Sequence, residues 1–156
     1  MTKTARNGLI GAVAAVLLLV KYVSEIEMRR LDKEVDRLCA IDGGMRIFET
    51  AKLPASMFAE DGRLSVPLRA EDDTRFGYFR RGDQKALAGP GQAPGARLLR
   101  SQIQIVRTED GRVMGEVVIY TRGGGYWLEG VPGIGHGKNC PEPLPLNLEE
   151  RVFMKE

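Results

Sequence analysis

The feature that most constrains the fold is the order of the first forty residues: a basic start, an uncharged apolar run, and a charged stretch with helical periodicity. Residues 8–23 contain one charged residue, Lys21, and would rise about 24 Å as an α-helix. This is slightly less than the hydrocarbon core of a bilayer, which is about 30 Å thick, and Lys21 can extend its ammonium group to the interface. We therefore expect a transmembrane anchor at residues 8–23, preceded by a cytoplasmic tail at residues 1–7.

A cleaved signal peptide is the main alternative, because Lys3 and Arg6 form a basic amino-terminal region and the apolar run has the length of a signal sequence. Cleavage needs small residues at the first and third positions before the cut, and residues 20–23, Val-Lys-Tyr-Val, offer none. A helix buried in a cytosolic core is the other alternative. Basic residues flank the run on both sides, so charge alone does not set the orientation.

The chain contains two cysteines, Cys39 and Cys140, which bracket almost the entire segment that follows the apolar run. Their spacing is typical of neither a zinc knuckle nor a C-x-x-C redox pair. We predict one disulfide between them, which would persist only in an oxidising compartment such as the bacterial periplasm. Two unrelated buried thiols are the alternative. A disulfide favours the orientation in which the carboxyl-terminal side of the anchor is exported.

Residues 24–39 predict an amphipathic stalk helix with a narrow apolar stripe. The stripe consists of residues spaced by three and four positions: Met28, Leu31, Val35 and Leu38. Such a stripe lies on one side of an α-helix. It can dock on the domain that follows, or it can form a seam for self-association, although two heptads are too few to identify a coiled coil.

Residues 40–156 predict one small domain of ordinary globular composition, in which strands outnumber helices. Residues 45–53 alternate as a strand would, and Pro54 starts a short helix through Phe58. Residues 86–96, rich in Gly, Pro and Ala, predict a loop, and the tail from Asn147 predicts a helical turn. Three further strands are predicted, at residues 64–68, 75–80 and 126–128. The expected fold class is α+β: the amino-terminal helix, then a mainly antiparallel sheet or partly open barrel.

The clearest element is a hairpin at residues 98–120, which turns at Glu109-Asp110-Gly111. A two-residue Asp-Gly turn and a three-residue loop give different registers. The three-residue loop sets Ile103 opposite Val117 and Ile105 opposite Gly115, with Gly111 in a left-handed conformation. We predict this register because it gathers apolar side chains on one face. Those side chains are Ile103, Ile105, Val113, Val117 and Ile119.

The most site-like stretch is residues 133–140, which is rich in glycine and carries the single histidine, His136. A phosphate-binding loop would need a helix after it, and Pro141 and Pro143 exclude one. A metal site at His136 and Cys140 would need further ligands and would fail if the cysteines pair. We therefore predict no metal, no cofactor and no catalytic residues, and the chain is not expected to be an enzyme.

The contact surface is expected to combine the apolar stripe with aromatic and basic side chains, because Trp, Tyr and Arg dominate contact energetics. Residues 75–122 carry nine basic side chains against four acidic ones. This excess favours an acidic partner or anionic lipid, although alternate arginines on a solvated sheet face would look the same. The residues predicted for contact outside the stripe are Arg80, Arg81, Tyr126, Trp127 and His136.

Taken together, these expectations predict a single-pass protein of the bacterial inner membrane with an extracytoplasmic domain. Its predicted partner is another envelope protein or a second copy, and an exported domain is not expected to meet nucleic acid. It would act as an accessory or assembly subunit of a membrane complex. The alternatives are a module that binds a small ligand or the cell wall, with Tyr126, Trp127 and His136 lining a cleft, and an envelope hydrolase.

Overall fold

The computed structural model describes residues 3–65, 68, 77–88, 97–124, 137–145 and 147–156; side chains are described from residue 11 onward, apart from Ala88. The first element is a single α-helix, α1 (Lys3–Asp42). The elements that follow, in chain order, are β1 (Gly44–Ile47), β2 (Ala51–Leu53), a 3-10 turn (Ala55–Met57), β3 (Tyr78–Ala88), β4 (Arg97–Arg107), β5 (Val113–Gly123), β6 (Lys138–Cys140), α2 (Leu148–Val152) and β7 (Phe153–Lys155). The architecture is therefore α+β, as predicted.

Helix α1 is continuous through the regions that the sequence divided into anchor and stalk. Its 40 residues correspond to a length of about 60 Å. Apolar side chains of the amino-terminal half are exposed on all sides of the helix: Val13, Val16, Leu17, Leu18, Leu19, Val20, Tyr22, Val23 and Ile26. Over the described part of the chain, no helical segment meets the combined length and hydropathy needed to cross a membrane.

The helix extends three residues beyond Cys39 and ends where two glycines follow. The backbone N–H of Gly43 donates to the carbonyl of Cys39 at 2.8 Å. A Cβ on Gly43 would lie 2.5 Å from the Cys39 Sγ and 2.7 Å from its carbonyl oxygen. Gly44 has a φ of 109°, which favours glycine. This pair of glycines lets the chain leave the helix and enter β1 directly.

Within the described ranges, the main sheet has five strands, and all of their pairings are antiparallel. Its order is β1-β5-β4-β3, and β6 pairs with β5 beyond the end of β1. Strand β1 pairs with the first half of β5, at Ile47↔Gly115 and Gly44↔Val118, whereas β6 pairs with the second half, at Tyr120↔Cys140. Strand β3 lies at the other side of the sheet, and Arg80 to Leu87 within it are exposed. The sheet is open, so the sheet alternative is confirmed over the barrel.

The predicted hairpin register is confirmed. Ile103 pairs with Val117, and Ile105 pairs with Gly115. Gly111 has a φ of 69°, and its N–H donates to the Arg107 carbonyl at 3.0 Å. The apolar face predicted for the hairpin differs from the structure at one position, because the pairing of β4 with β5 shifts register between Ile105 and Val106. Through this irregularity, Met114 enters the core in place of Val113.

Other predicted elements differ from the structure. The single strand at residues 45–53 is two strands in two sheets, because the N–H groups of Phe48 and Glu49 both donate to the Met114 carbonyl and end the pairing with β5. Strand β2 then pairs in parallel with β7. The strand predicted at residues 64–68 shows one bridge, Phe58↔Leu64, among its described residues.

The loop predicted at residues 86–96 begins later than expected. Residues 86–88 belong to β3, where Ala86 pairs with Leu99 and Ala88 with Leu98. Strand pairing thus extends into the Gly- and Pro-rich segment as far as the last residue described there, Ala88. The remainder of that loop and the strand predicted at residues 126–128 lie outside the described residues, as do Arg75 and Phe76. Asn147 precedes α2 as predicted, but its side chain makes no capping hydrogen bond.

The main sheet has a layer on each face. On one face, a core of nine buried residues brings β4 and β5 together with α2, β2 and β7, and Val152 and Ile105 are fully buried in it. On the other face, Val35 of α1 packs with Leu98, Val118 and Tyr120. The carboxyl-terminal half of the helix is therefore an integral layer of the domain.

Candidate interaction surface

The predicted disulfide is confirmed. Cys39, in the last turn of α1, is bonded to Cys140 at the end of β6, with 6.0 Å between their Cα atoms and a sequence separation of 101 positions. Both side chains pack at the border of the core that contains Val35. The bond attaches the end of the long helix covalently to the edge of the sheet.

The apolar stripe docks on this chain's own sheet. Met28 and Leu31 are each 5% exposed and Val35 is fully buried, while Leu38 is half-buried at the same core. The stripe was expected either to dock on the domain or to form a seam for self-association. The structure has it docked on the domain. Most of the stripe therefore offers no exposed surface to a second protein.

Three aspartates of α1 bind cationic side chains of the sheet. Each carboxylate accepts from a cationic strand residue: Asp32 from Arg122 at 2.5 Å, Asp36 from Lys138 at 2.6 Å and Asp42 from Arg100 at 2.8 Å. These pairs lie along the docked half of the helix and fix its position on β4, β5 and β6. We call Asp32, Asp36 and Asp42 the aspartate series. Sequence reasoning missed it; the available signal was the placement of Asp32 and Asp36 one helical turn apart beside the stripe.

The end of α1 carries a compact polar cluster. The Tyr120 hydroxyl donates to Asp42 at 2.5 Å, and Arg100 also donates to that hydroxyl at 3.2 Å. Burial alone would raise the pKa of Asp42, but the hydrogen bonds from Tyr120 and Arg100 outweigh it and lower the pKa. Burial and the bond to Asp42 raise the pKa of the Tyr120 hydroxyl, so it remains a donor. The cluster stabilises the charged form of Asp42.

A second polar cluster continues along the same face of the sheet. Glu116 is 9% exposed and accepts hydrogen bonds from Gln102 at 2.7 Å and Gln104 at 3.3 Å. Arg46 lies 3.5 Å from the same carboxylate, and Arg100 donates to the side-chain amide oxygen of Gln102, Oε1, at 3.0 Å. Each buried polar group named here has partners within the sheet, as buried polar groups require.

A groove lies beside the docked half of α1, between the helix and the ends of β3 and β4, with a volume of about 900 Å³. We call it the stalk groove. Its apolar lining consists of Ile26, Leu31, Leu38, Leu87 and Leu98. Its charged lining consists of Arg29, Arg30, Lys33, Glu34 and Arg37. An apolar floor with four cations and one anion is suited to an amphipathic, acidic occupant.

A small cavity on the opposite face of the sheet has a volume of about 90 Å³. Glu149 lines it, and burial raises the pKa of this carboxyl, although the charge of Arg80 opposes the change. Among the described residues that line the cavity, Glu149 is the one with a carboxylate. Ligand pockets usually measure about 300–1,000 Å³, so this cavity does not fit a glycan or a drug-sized ligand.

The predicted contact residues do not form one site. Arg80 and Arg81 are exposed on β3, and the Arg81 guanidinium lies 5.4 Å from the centre of the Phe79 ring. The side chains of the apolar stripe are on a different element and mostly buried. Tyr126, Trp127 and His136 lie outside the described residues, so the cleft that they were expected to line stays a prediction.

The metal site considered at His136 and Cys140 is excluded by the disulfide, because a bonded sulfur is not a thiolate ligand. Across the portion of the chain that the structure describes, no group of three or more His, Cys, Asp or Glu side chains is placed to hold a metal ion.

Comparisons with protein-family models, curated proteins and solved structures give no match to this chain.

Proposed function

We propose that this chain is a single-pass membrane protein of the bacterial envelope whose disulfide-tied β-rich domain works outside the cytoplasm. It binds another envelope component and acts as an accessory or assembly subunit of a membrane complex. The observation that carries the proposal is the division of α1: exposed apolar side chains surround its first half, and its second half is bound to the sheet. A helix that is apolar on all sides is stable when lipid or protein surrounds it.

The disulfide supports the exported orientation. Protein disulfides form and persist in the periplasm and outside cells, whereas cytosolic thiols are kept reduced. Cys39 lies sixteen residues beyond Val23, the end of the proposed anchor, so a bond from Cys39 to Cys140 supports a domain on the oxidising side of the membrane.

The use of the polar side chains favours binding over catalysis. The aspartate series and Glu116 are engaged in contacts within the fold. The pKa of Asp42 is lowered by Tyr120 and Arg100, which is opposite to what a general acid needs at neutral pH. Glu149, whose pKa is raised, lines a cavity of about 90 Å³. A binding role uses instead the stalk groove and the exposed arginines of β3.

Membrane extraction combined with protease treatment tests this proposal. We expect the full chain to stay in the membrane pellet after alkaline carbonate, and a variant that lacks residues 8–23 to be released. External protease should digest the domain in spheroplasts while a cytoplasmic marker stays intact. Release of the full chain by carbonate, or protection of the domain until the membrane is opened, would contradict the proposal.

A further inference from the structure

Helix α1 covers only part of the sheet face on which it docks. It packs mainly on β5 and β6, through Val35 on Val118 and Tyr120, and meets β4 at Leu98. The stalk groove runs beside it toward β3 and β4, where Leu87 is 39% exposed. One helix is therefore in place, and the adjoining groove leaves the apolar side chains of Ile26 and Leu87 exposed.

The charges of the groove indicate the chemistry of its occupant. Arg37 donates twice to Glu34, at 2.7 and 2.8 Å, and Arg30 lies 3.8 Å from Glu27. Arg29 and Lys33 are exposed, and neither forms an ion pair with any described residue. These two cations are four residues apart, so they lie on the same side of α1 on successive turns. An occupant with carboxylates at matching intervals would neutralise both.

The shape of the groove indicates the form of that occupant. The lining positions on α1 extend from Ile26 to Leu38, about 18 Å at 1.5 Å per residue. This is about three turns of a second helix lying alongside α1, with packed helix axes about 8–10 Å apart. Leu31 and Leu98 form a buried floor, and Ile26, 50% exposed, adds an apolar wall. These are the conditions for helix-in-groove recognition.

The placement of the cations disfavours anionic lipid as the occupant. Each headgroup layer of a bilayer is about 5–8 Å thick. Along a helix that leaves the membrane at Val23, Arg29 is about 9 Å and Arg37 about 21 Å beyond that residue. The upper cations of the groove are therefore above the headgroups.

A second copy of the chain is disfavoured by charge. The stalk that it would place in the groove exposes the same cations, Arg29, Arg30 and Lys33. Like charges brought together at an interface cost several kcal/mol. The occupant should therefore have a different sequence.

We propose that the stalk groove binds an acidic amphipathic helix of a second, different membrane protein, close to the point where that protein leaves the bilayer. This inference rests on the proposed function and names the class of partner. The apolar side of the partner helix packs on the exposed side chains of Ile26 and Leu87, and its carboxylates pair with Arg29 and Lys33.

Photo-crosslinking of the full chain in its native membrane tests the proposal. A benzophenone amino acid at Leu87 probes the groove, and the same group at Met154, which is 45% exposed on the peripheral β2–β7 sheet, is the control. We expect the Leu87 probe to crosslink one other membrane protein. Mass spectrometry should place the adduct in an acidic segment with apolar residues spaced by three and four positions.

Charge reversal gives the second readout. R29E combined with K33E should lower the Leu87 adduct about tenfold or more, because each partner carboxylate then faces a like charge. The matched control is K52E combined with K155E, two exposed lysines on β2 and β7, which should leave the yield within about twofold. Retention of the disulfide in both variants establishes that they fold.

The proposal would be overturned if the Leu87 probe crosslinked only lipid or only a second copy, or if its adduct were no stronger than that of the Met154 probe. An adduct yield that R29E combined with K33E does not lower would also overturn it. If the domain meanwhile proves exported and membrane-bound, only the partner assignment fails. If the domain proves cytosolic, the proposed function fails with it.

Discussion

At the scale of single residues, the ion pair between Arg122 and Asp32 is the contact that most directly holds α1 on the sheet. Arg122 is 3% exposed, and its guanidinium donates to Asp32 at 2.5 Å. Asp32→Ala removes the carboxylate from a buried cation, so we expect the free energy of unfolding to fall by about 2–3 kcal/mol. Denaturant titration of the oxidised chain in detergent measures this. Asp83→Ala, at an exposed carboxylate on β3, should change the value by less than about 0.5 kcal/mol; equal effects of the two substitutions would contradict the docking account.

Asp42 gives the fold a specific dependence on pH. Burial opposes its ionisation, but the hydrogen bonds from Tyr120 and Arg100 lower its pKa below the unfolded value of about 4. Its stabilising contribution is therefore complete above that value and is lost as the pH falls through the lower, folded pKa. Asp42→Asn should cost about 1–2 kcal/mol at pH 7, and the cost should shrink as the pH is lowered from 6 to 3. Unfolding of both proteins across this range is the measurement; a cost that grows on acidification would contradict the prediction.

At the scale of elements, the docked half of α1 is held by its apolar stripe. Val35 is fully buried between the helix and β5. Val35→Ala leaves a cavity at this contact and should lower the free energy of unfolding by about 2 kcal/mol. Ile41→Ala, an apolar truncation at a position on the same helix that is 65% exposed, is the matched control and should be nearly neutral. Thermal unfolding of the oxidised chain compares them, and equal values would indicate that the helix is not docked in solution.

The elements that sequence reasoning predicted are those specified by nearby residues. The register of the β4–β5 hairpin follows from alternation of apolar side chains on both sides of Gly111, and Ile103 does pair with Val117. The stripe of α1 is likewise a local pattern. The register shift that puts Met114 rather than Val113 in the core could not be predicted from alternation, because both residues are apolar.

The elements and contacts that were missed depend on residues far apart in the chain. Strand β2 pairs with β7, about one hundred positions later, at Ala51↔Phe153. Asp32 meets Arg122 across 90 positions. No periodicity within either segment encodes such pairs. Of the interaction surface, the sequence predicted the exposed arginines of β3, but the stalk groove arises only when α1 and the sheet are packed together.

At the scale of the whole molecule, the disulfide joins the helix to the sheet across 101 positions. On the chain-entropy model, closing a loop of about 100 residues contributes up to about 4.7 kcal/mol. Cys39→Ser combined with Cys140→Ser should therefore lower the free energy of unfolding by about 2–5 kcal/mol. The oxidised wild type is compared with the double variant by denaturant titration, and reduced wild type should match the variant. No loss of stability would show that the helix end is held by its ion pairs alone.

In the proposed function, α1 leaves the bilayer and becomes a disulfide-bonded layer of an exported domain. The state of Cys39 and Cys140 in the cell tests this topology most directly. Membranes are isolated under acid quench, free thiols are alkylated, and the protein is then reduced and alkylated with a second, heavier reagent before mass spectrometry. We predict that both cysteines carry only the heavier label and that the chain is recovered with the membranes. Recovery of the chain in the soluble cytosolic fraction with the first label on both cysteines would contradict the account.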